Sequence, residues 1–242
     1  MSGSLDRPEI EWTADRIARL WDYYGAREAH RDAFFSRRYQ RHIYKLIRQR
    51  IPLRGAHILD YGCGPGFILE ELARHNVTCS GLEFSTKTAE EATRRLGGLG
   101  SFRGVVVADS LPSRFEAGSF DAVLCIEVIE HLTDDRLDPT LQELHRLLRP
   151  GGTVYLSTPN QENLDTEKVA CPNCGSIFHR WQHVRSWSLA TLQAAMEAQG
   201  FTTRSLWEML FVQNPRSLLG LAQGIYSMVS GYRPHLVYVG VK

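Results

Sequence analysis

The sequence predicts an α/β fold in which helices cover both faces of a doubly wound, mostly parallel sheet. Three observations predict it: short β-branched apolar segments, helical segments between them, and a glycine-rich turn directly after the first apolar segment. The chain has 242 residues, of which 43% are hydrophobic, enough for the core of one domain of this class. We therefore expect a single domain over residues 1–242.

The first elements alternate in order along the chain. Residues 1–54 form an expected N-terminal helical cap, with helices from Trp12 to Tyr24 and, as a basic amphipathic stretch, from Glu28 to Arg50. HILDYG and VTCSGLE are predicted strands, followed by the helices FILEELARH and STKTAEEATRRL, and Ser85 is a suitable N-cap for the second helix. GVVVAD and FDAVLCIE are continuous apolar runs, as expected for strands covered on both faces.

Two insertions interrupt the second half. Asp138-Pro139 starts a predicted helix that Pro150-Gly151-Gly152 ends, and TVYLSTP is the next strand. Residues 161–187 break the alternation and are rich in Cys, His and Trp. A helix from Ser188 to Gln199 and a strand from Phe201 to Phe211 follow. Residues 213–234 are an apolar helical insertion before the last strand, HLVYVGV.

Composition argues against several functional classes. The net charge of +1 gives no overall basic excess for nucleic acid. Residues 27–54 are nevertheless basic, which indicates either a solvated helix face or a rim that attracts an anionic substrate. The N-terminus lacks an export-signal pattern, and five scattered cysteines do not indicate a disulfide framework, so we expect a cytoplasmic protein. The longest uncharged run, Ser217 to Tyr232, is too short and too polar to span a bilayer.

LDYGCGPG, at the end of the first strand, is the strongest candidate ligand site. Its glycines, Gly62, Gly64 and Gly66, permit a tight turn whose backbone N–H groups approach a ligand closely. Glu83 ends the next strand, where a carboxylate can accept both ribose hydroxyls. A dinucleotide is the alternative ligand, but its glycine spacing would need glycine in place of Phe67. Asp60, before the first glycine, suits the ammonium and sulfonium charges of S-adenosylmethionine better than a pyrophosphate.

Four motifs between Ile58 and Phe201 resemble those of the class I S-adenosylmethionine-dependent methyltransferases: ILDYGCGPGFILEELA, GLEFS, VVVADSLPSRFEAGSFDAVLCIEVIEHL and LHRLLRPGGTVYLSTPN. The resemblance implies a Rossmann-like seven-stranded sheet whose last strand is antiparallel. It puts Phe84 and Asp109 near the adenine, and the Cys125 and Ile126 backbone at the methionine end. The residues implied to bind the cofactor are Asp60, Gly62, Cys63, Gly64, Gly66, Glu83, Phe84, Asp109, Ser110, Leu111, Cys125 and Ile126.

The acceptor end is predicted in EVIEHL, where the fourth strand ends. A sulfonium methyl is already activated, so the protein must align the nucleophile and remove a proton if that nucleophile is a hydroxyl. Glu127, Glu130 and His131 either only position substrate and backbone, or they form a divalent metal site. The candidate catalytic residues are Glu130, His131 and His183.

EVIEHL, STPNQEN and FHRWQHVRSWS together are similar to segments of the small-RNA 3′-end 2′-O-methyltransferases, and more loosely to the ubiquinone-biosynthesis O-methyltransferases. By that resemblance Glu127, Glu130, His131 and His183 would hold a divalent metal, Mg²⁺ or Zn²⁺, that binds a vicinal diol. The H-x-H pair of the RNA enzymes reads Trp181-Gln182-His183 here, and no RNA-binding module accompanies it. Nucleic acid is therefore not the expected substrate.

A second possible metal site lies in the segment CPNCGSIFHRWQH. It would need His183 as a ligand, as the first predicted metal site does. The Cys171-x2-Cys174 turn is typical of zinc knuckles, and His179 with His183 would complete a Cys2His2 shell. In one alternative both cysteines are reduced surface residues. In another, a structural zinc uses His179 and one other ligand and leaves His183 facing the active site.

These observations favour S-adenosylmethionine-dependent methylation of a hydroxyl on a small or carrier-linked molecule, such as a sugar or a catechol-like diol. Metal-independent N- or C-methylation is the alternative among enzymes, and a non-catalytic cofactor- or zinc-binding module is the alternative outside them. Phe178, Trp181 and Trp187 either wall the substrate or pack the first insertion onto the sheet. Residues 213–234 are interpreted as core, a dimer face or an interfacial helix at a membrane, in a monomer or homodimer.

Overall fold

The computed structural model of the chain describes residues 8–25, 27–108, 110–214 and 217–242. The helices are α1 Ala14–Gly25, α2 Phe35–Ile47, α3 Phe67–Arg74, α4 Thr86–Leu96, α5 Asp134–Leu147, α6 Leu189–Ala198 and α7 Leu218–Ser230. The strands are β1 His57–Tyr61, β2 Thr78–Glu83, β3 Phe102–Val107, β4 Phe120–Ile126, β5 Leu148–Pro159, β6 Lys168–Ala170, β7 Ile177–His179, β8 Thr202–Met209 and β9 His235–Val241. Short 3₁₀ turns cover Glu28–Ala33 and Ile129–His131.

Seven of these strands form one sheet in the order β3-β2-β1-β4-β5-β9-β8. The first five are parallel, and β9 runs antiparallel between β5 and β8. The predicted doubly wound sheet with an antiparallel last strand is therefore confirmed. Strand order reverses between β1 and β4, so a crevice opens beyond their carboxyl ends, where such sheets bind ligands.

The core lies on both faces of the sheet because successive strand side chains point to opposite sides. In β1, Ile58 belongs to the cluster beneath α2 and α3, whereas Leu59 belongs to the cluster beneath α5 and α6. Both side chains are fully buried. This two-sided burial is the physical reason for the continuous apolar runs in the sequence.

Several element boundaries differ from the predicted ones. Helix α5 begins at Asp134 rather than Asp138, and its two first-turn aspartates interact favourably with the positive end of the helix dipole. Pro139 consequently lies inside the helix. Strand β5 already begins at Leu148, and a register shift opposite β4 absorbs the Pro-Gly-Gly segment. Ser85 caps α4 as predicted, since its side chain accepts the Thr88 N–H at 3.2 Å.

The first insertion folds over the strand ends as the hairpin β6-β7. The N-terminal segment extends this hairpin, because the Ile10 N–H donates to the Ile177 carbonyl at 2.9 Å. Trp12 packs edge-on against Phe178, with ring centroids 6.1 Å apart. The cap and the insertion therefore close together over the sheet, and Trp187 packs into the core below them.

The second insertion forms α7. The interpretation of residues 213–234 as core is wrong for this helix, because Leu218 is 88% and Val229 is 84% exposed. None of the helices in the described ranges combines the length and hydrophobicity needed to cross a membrane.

Candidate active site

A cavity of about 1200 Å³ lies at the carboxyl ends of β1, β2 and β4. The glycine loop lines part of it, and histidine and glutamate side chains line another part. Trp21 and Tyr24 of α1 and Trp181 of the first insertion line it from above. This volume exceeds that of most small-ligand pockets, so it suits a cofactor and an acceptor together.

The glycine loop follows β1 in a conformation that suits glycine. Gly62, Gly64 and Gly66 have φ angles of 71°, 51° and 80°, in the left-handed region that disfavours side chains. The Gly62 N–H donates to the Leu82 carbonyl at 2.8 Å, which fixes the loop against β2. Gly62 and Gly64 both border the cavity.

Substitution of Gly62 by alanine is expected to destabilise the fold. The added Cβ would lie 2.7 Å from Val128 Cγ2 in a backbone conformation that alanine rarely adopts. We expect the free energy of unfolding to fall by about 1–3 kcal/mol in chemical denaturation. Gly98→Ala is the matched control, since no heavy atom lies within 4 Å of its added Cβ. Equal unfolding midpoints for both variants would contradict the steric argument.

Two buried carboxyl groups lie behind and beside this loop. Burial, and then the charge of Glu83, raises the pKa of Asp60 to about 8. Glu83 accepts the Gly64 N–H at 2.8 Å through Oε2 and the Ser85 N–H at 2.9 Å through Oε1. Burial raises the pKa of Glu83 as well, although these hydrogen bonds oppose the shift. Glu83 therefore holds the loop and borders the cavity.

Of the remaining predicted cofactor residues, some line the cavity and others are buried in the protein interior. Phe84, Leu111 and Ile126 line the cavity, whereas Cys63 and Cys125 are buried in the protein interior. This fits the expectation that Cys125 would contribute backbone rather than side-chain contacts. Ser110 is exposed, and Asp109 lies outside the described residues. These cofactor contacts stay a prediction.

Glu130 and His131, which also line the cavity, occupy a 3₁₀ turn after β4. The Glu130 side chain is 1% exposed, and its Oε2 accepts the Thr158 hydroxyl at 3.0 Å. Its Oε1 lies 3.8 Å from His131 Nε2. Burial, and then Glu127, raises the pKa of Glu130 well above its ordinary value. Burial, and then His183, lowers the pKa of His131 well below its ordinary value, which favours the neutral imidazole.

The first insertion brings three further side chains to this turn. Glu162 Oε2 lies 2.6 Å from His183 Nδ1, and the His179 ring stacks on His183 with centroids 4.6 Å apart. The His131 ring meets His183 edge-on at 4.8 Å. Glu162 was not among the predicted site residues, although it lies in the STPNQEN segment shortly after the end of β5.

Two groups of three residues have potential ligand atoms within 4.8 Å of one another in the described part of the chain. One is Glu130, His131 and His183, and the other is Glu162, His179 and His183. Glu127 belongs to neither group. Its Oε1 instead accepts the Ser157 hydroxyl at 2.7 Å, and its Oε2 lies 3.3 Å from His235 Nδ1. The structure thus assembles three of the four residues predicted to hold a metal.

The two cysteines of the first insertion lie in the turn of the β6-β7 hairpin. Neither belongs to a group of three potential ligands in the described ranges, so the Cys2His2 set is not assembled. Cys174 is exposed, and its hydrogen bonds with Ser176 lower the pKa of its thiol to about 7. His179 instead accepts the His183 N–H at 3.1 Å through Nδ1.

Backbone strain concentrates around the cavity. Of the four non-glycine residues with positive φ in the described chain, Glu127, Gln161 and Gln182 line it. Gln182 is completely buried; it accepts the Trp21 indole N–H at 3.0 Å and donates to the His131 carbonyl at 2.6 Å. Such strain persists where surrounding contacts enforce it, which is typical of functional sites. No sequence signal had identified Gln182.

Comparison with known proteins adds independent information. A family described as "Methyltransferase domain" matches residues 15–206. A ubiquinone biosynthesis O-methyltransferase of Xanthomonas oryzae pv. oryzae is 33% identical over 174 residues, which are 66% of this chain and 64% of the relative. The chain thus spans a little under two thirds of the length of such curated relatives.

Two solved structures share the fold. One comes from the complex between the Haloferax volcanii Trm112 methyltransferase activator and a methyltransferase; it has a TM-score of 0.67 and 21% identity, and covers 91% of this chain and 96% of its own. The other is Burkholderia thailandensis 1,6-didemethyltoxoflavin-N1-methyltransferase with bound S-adenosylhomocysteine. It has a TM-score of 0.64 and 16% identity over 98% of this chain and 93% of its own. At these identities the likeness supports the fold alone.

Proposed function

Because the chain belongs to the class I S-adenosylmethionine-dependent methyltransferases, we propose that it methylates a hydroxyl group of a small or carrier-linked molecule, such as a sugar or a catechol-like diol. The observation that carries this proposal is the cluster of Glu130, His131, Glu162, His179 and His183. Glu130, His131, Glu162 and His183 of this cluster line the same cavity as Gly62 and Gly64 of the glycine loop. The O-methyltransferase names of the 33% identical relatives also favour oxygen as the methylated atom.

In the proposed mechanism, bound S-adenosylmethionine supplies an activated methyl group on its sulfonium. His183 accepts the hydroxyl proton at Nε2 while the O–C bond forms and the C–S bond breaks. Glu162, 2.6 Å from His183 Nδ1, fixes the ring orientation and stabilises its positive charge. Trp21 and Trp181, which line the cavity, help to exclude water.

A divalent cation bound to the same cluster is a second candidate. It is favoured by Glu130 Oε1, His131 Nδ1 and His179 Nε2, which are buried without a hydrogen-bond partner among the described residues. Either Glu130, His131 and His183 or Glu162, His179 and His183 would hold it, and imidazole-rich sets suit Zn²⁺ better than Mg²⁺. When bound, a cation would lower the pKa of a coordinated hydroxyl.

Elemental analysis of the purified protein would test this cation site. We expect His183→Asn to reduce the bound metal, because His183 belongs to both possible ligand groups, and Cys171→Ser to leave it unchanged. Metal lost only from the Cys171 variant would place it at the hairpin turn instead.

Cofactor affinity is expected to depend on pH through Asp60. With a raised pKa of about 8, this carboxyl group is protonated in the free protein at lower pH. The positive charges of S-adenosylmethionine favour the carboxylate, so binding releases a proton. Affinity should therefore rise with pH up to about pH 8, by at most about tenfold per unit.

Titration calorimetry in buffers of different ionisation enthalpy measures this proton release. Asp60→Asn should bind more weakly and lose most of the pH dependence. An unchanged pH dependence in that variant would assign the proton to another group, such as Glu83.

Transfer from methyl-labelled S-adenosylmethionine to a panel of catechols, vicinal-diol sugars and amines tests the proposed reaction. We expect methyl ethers as the products, identified by mass spectrometry and NMR. Parallel reactions with a chelator test whether the transfer needs a bound cation. Transfer only to nitrogen or carbon would support the alternative methyltransferases. Cofactor binding without transfer to any acceptor would favour a non-catalytic module.

The cytoplasmic location and the single domain over residues 1–242 stay predictions.

A further inference from the structure

Helix α7 presents its apolar face to solvent. It contains no charged residue, and its outward side chains are between 54% and 88% exposed. At 100° per residue they cover about half of the helix circumference. These outward residues are Leu218, Leu219, Leu221, Ile225, Tyr226, Met228 and Val229.

The opposite face of α7 is formed by small residues and lies toward the protein. Gly220 is buried, and Gly224 and Ser227 are half-buried, at a spacing that places them on one side of the helix. An amphipathic helix on a globular surface normally buries its apolar face instead. The reversed orientation of α7 implies that something outside this chain covers the apolar face, since exposed patches of this kind mark interaction sites.

We infer that α7 docks the protein on the surface of a lipid bilayer that contains anionic lipids. The outward face lacks charged groups and carries few hydrogen-bonding ones, whereas protein interfaces use a hydrogen bond for every 100–200 Å² or so. Tyr226 and the neighbouring Tyr232, 59% and 53% exposed, are residues that favour the membrane interface. A helix of this character lies in the interface plane rather than across the bilayer.

The charges around α7 also support docking on an anionic membrane. Residues 210–234 contain no acid. Phe211, just before the helix, packs against Phe35 of α2 with ring centroids 5.0 Å apart. The adjacent face of α2 carries the exposed cations Arg38, Arg41 and Lys45. A basic face close to the segment that leads into an uncharged apolar helix is attracted to an anionic membrane surface.

The cavity lies next to the outward face of α7. Gly231, Tyr232 and Arg233, directly after α7, line the cavity. Docking through α7 would therefore bring the cavity mouth close to the bilayer. If the proposed methyl transfer is correct, an acceptor carried on a lipid could then enter from the membrane; the docking itself does not depend on that reaction.

Vesicle co-sedimentation of the full chain tests the inference. The probes are vesicles of phosphatidylcholine with phosphatidylglycerol and vesicles of phosphatidylcholine alone. The test variant combines Leu219→Ser, Met228→Ser and Val229→Ser, three exposed positions whose change should not affect folding. Gln223→Ser, an exposed polar position of the same helix, is the matched control. Thermal unfolding and S-adenosylmethionine binding check that each variant is folded.

We expect the wild-type chain and the Gln223 variant to sediment with the anionic vesicles. The triple variant should bind at least about tenfold more weakly, because three apolar side chains no longer leave water. Replacing Arg41 and Lys45 by serine should weaken binding only to the anionic vesicles. If the wild-type protein sediments with neither kind of vesicle, the inference is overturned. If it also dimerises in analytical ultracentrifugation while the triple variant is monomeric, α7 is a subunit interface.

Discussion

Glu83→Ala is expected to reduce the affinity for S-adenosylmethionine by about 100-fold or more. The carboxylate borders the cavity at the end of β2, where it can accept the ribose hydroxyls, and it also accepts the Gly64 and Ser85 N–H groups. Its removal leaves two backbone donors without their acceptor in a largely buried position. That loss lowers the stability of the loop in the free and the bound protein alike. The affinity falls because the ribose hydrogen bonds to a charged acceptor, each worth about 1.5–3 kcal/mol, are no longer made.

Titration calorimetry with S-adenosylmethionine measures this effect directly. Glu90→Ala is the matched control, because Glu90 is an exposed carboxylate on the neighbouring helix α4 and should leave affinity unchanged. Glu83→Gln keeps one side-chain acceptor and should show an intermediate loss. Wild-type affinity in Glu83→Ala would show that the cofactor does not depend on the carboxylate at the end of β2.

His183→Asn is expected to lower kcat for the acceptor by about 10²- to 10⁴-fold, the range found when a general base is removed. The affinity for S-adenosylmethionine should stay unchanged, because the side-chain contacts of His183 are with Glu162, His131 and His179, outside the glycine loop. Glu162→Gln should lower kcat less, since the base remains and only its orientation and charge stabilisation are weakened.

Steady-state kinetics with the acceptor found in the methylation panel separate kcat from KM. His75→Asn is the control, because this half-exposed histidine lies at the end of α3, away from the cavity. A merely structural role of Glu162 would show as lower thermal stability with kcat preserved in the folded fraction. An unchanged kcat in His183→Asn would rule out His183 as the proton acceptor.

The succession of strands along the chain, the glycine loop and its two acids could be predicted from the sequence because each depends on neighbours along the chain. Apolar runs separated by helical segments define the strands, and Asp60 and Glu83 stand at strand ends that a parallel sheet brings to one edge. Helix boundaries were less accurate. The helix predicted from Asp138-Pro139 begins at Asp134 because the acids there stabilise a helix N-terminus even with a proline in the interior.

The acceptor end depends on contacts between segments far apart in the chain, which local patterns do not encode. Glu162 meets His183 across 21 residues, and Trp21 bonds to Gln182 across 161. Glu127, which the resemblance suggested as a ligand, accepts the Ser157 hydroxyl and lies near His235 on neighbouring strands, and its role as a ligand stays a prediction.

For helix α7, too, the sequence predicts one property and only the tertiary structure decides another. Its apolar composition is evident in the sequence, but composition does not reveal which face meets the protein. In the structure the glycine and serine face lies inward, because these small side chains allow close approach to the underlying surface, and the larger apolar side chains therefore face outward. Residue order along the chain thus suffices to predict the fold and to propose the cofactor residues. The cluster of histidine and glutamate side chains and the outward apolar face arise only when the cap and the two insertions pack over the sheet.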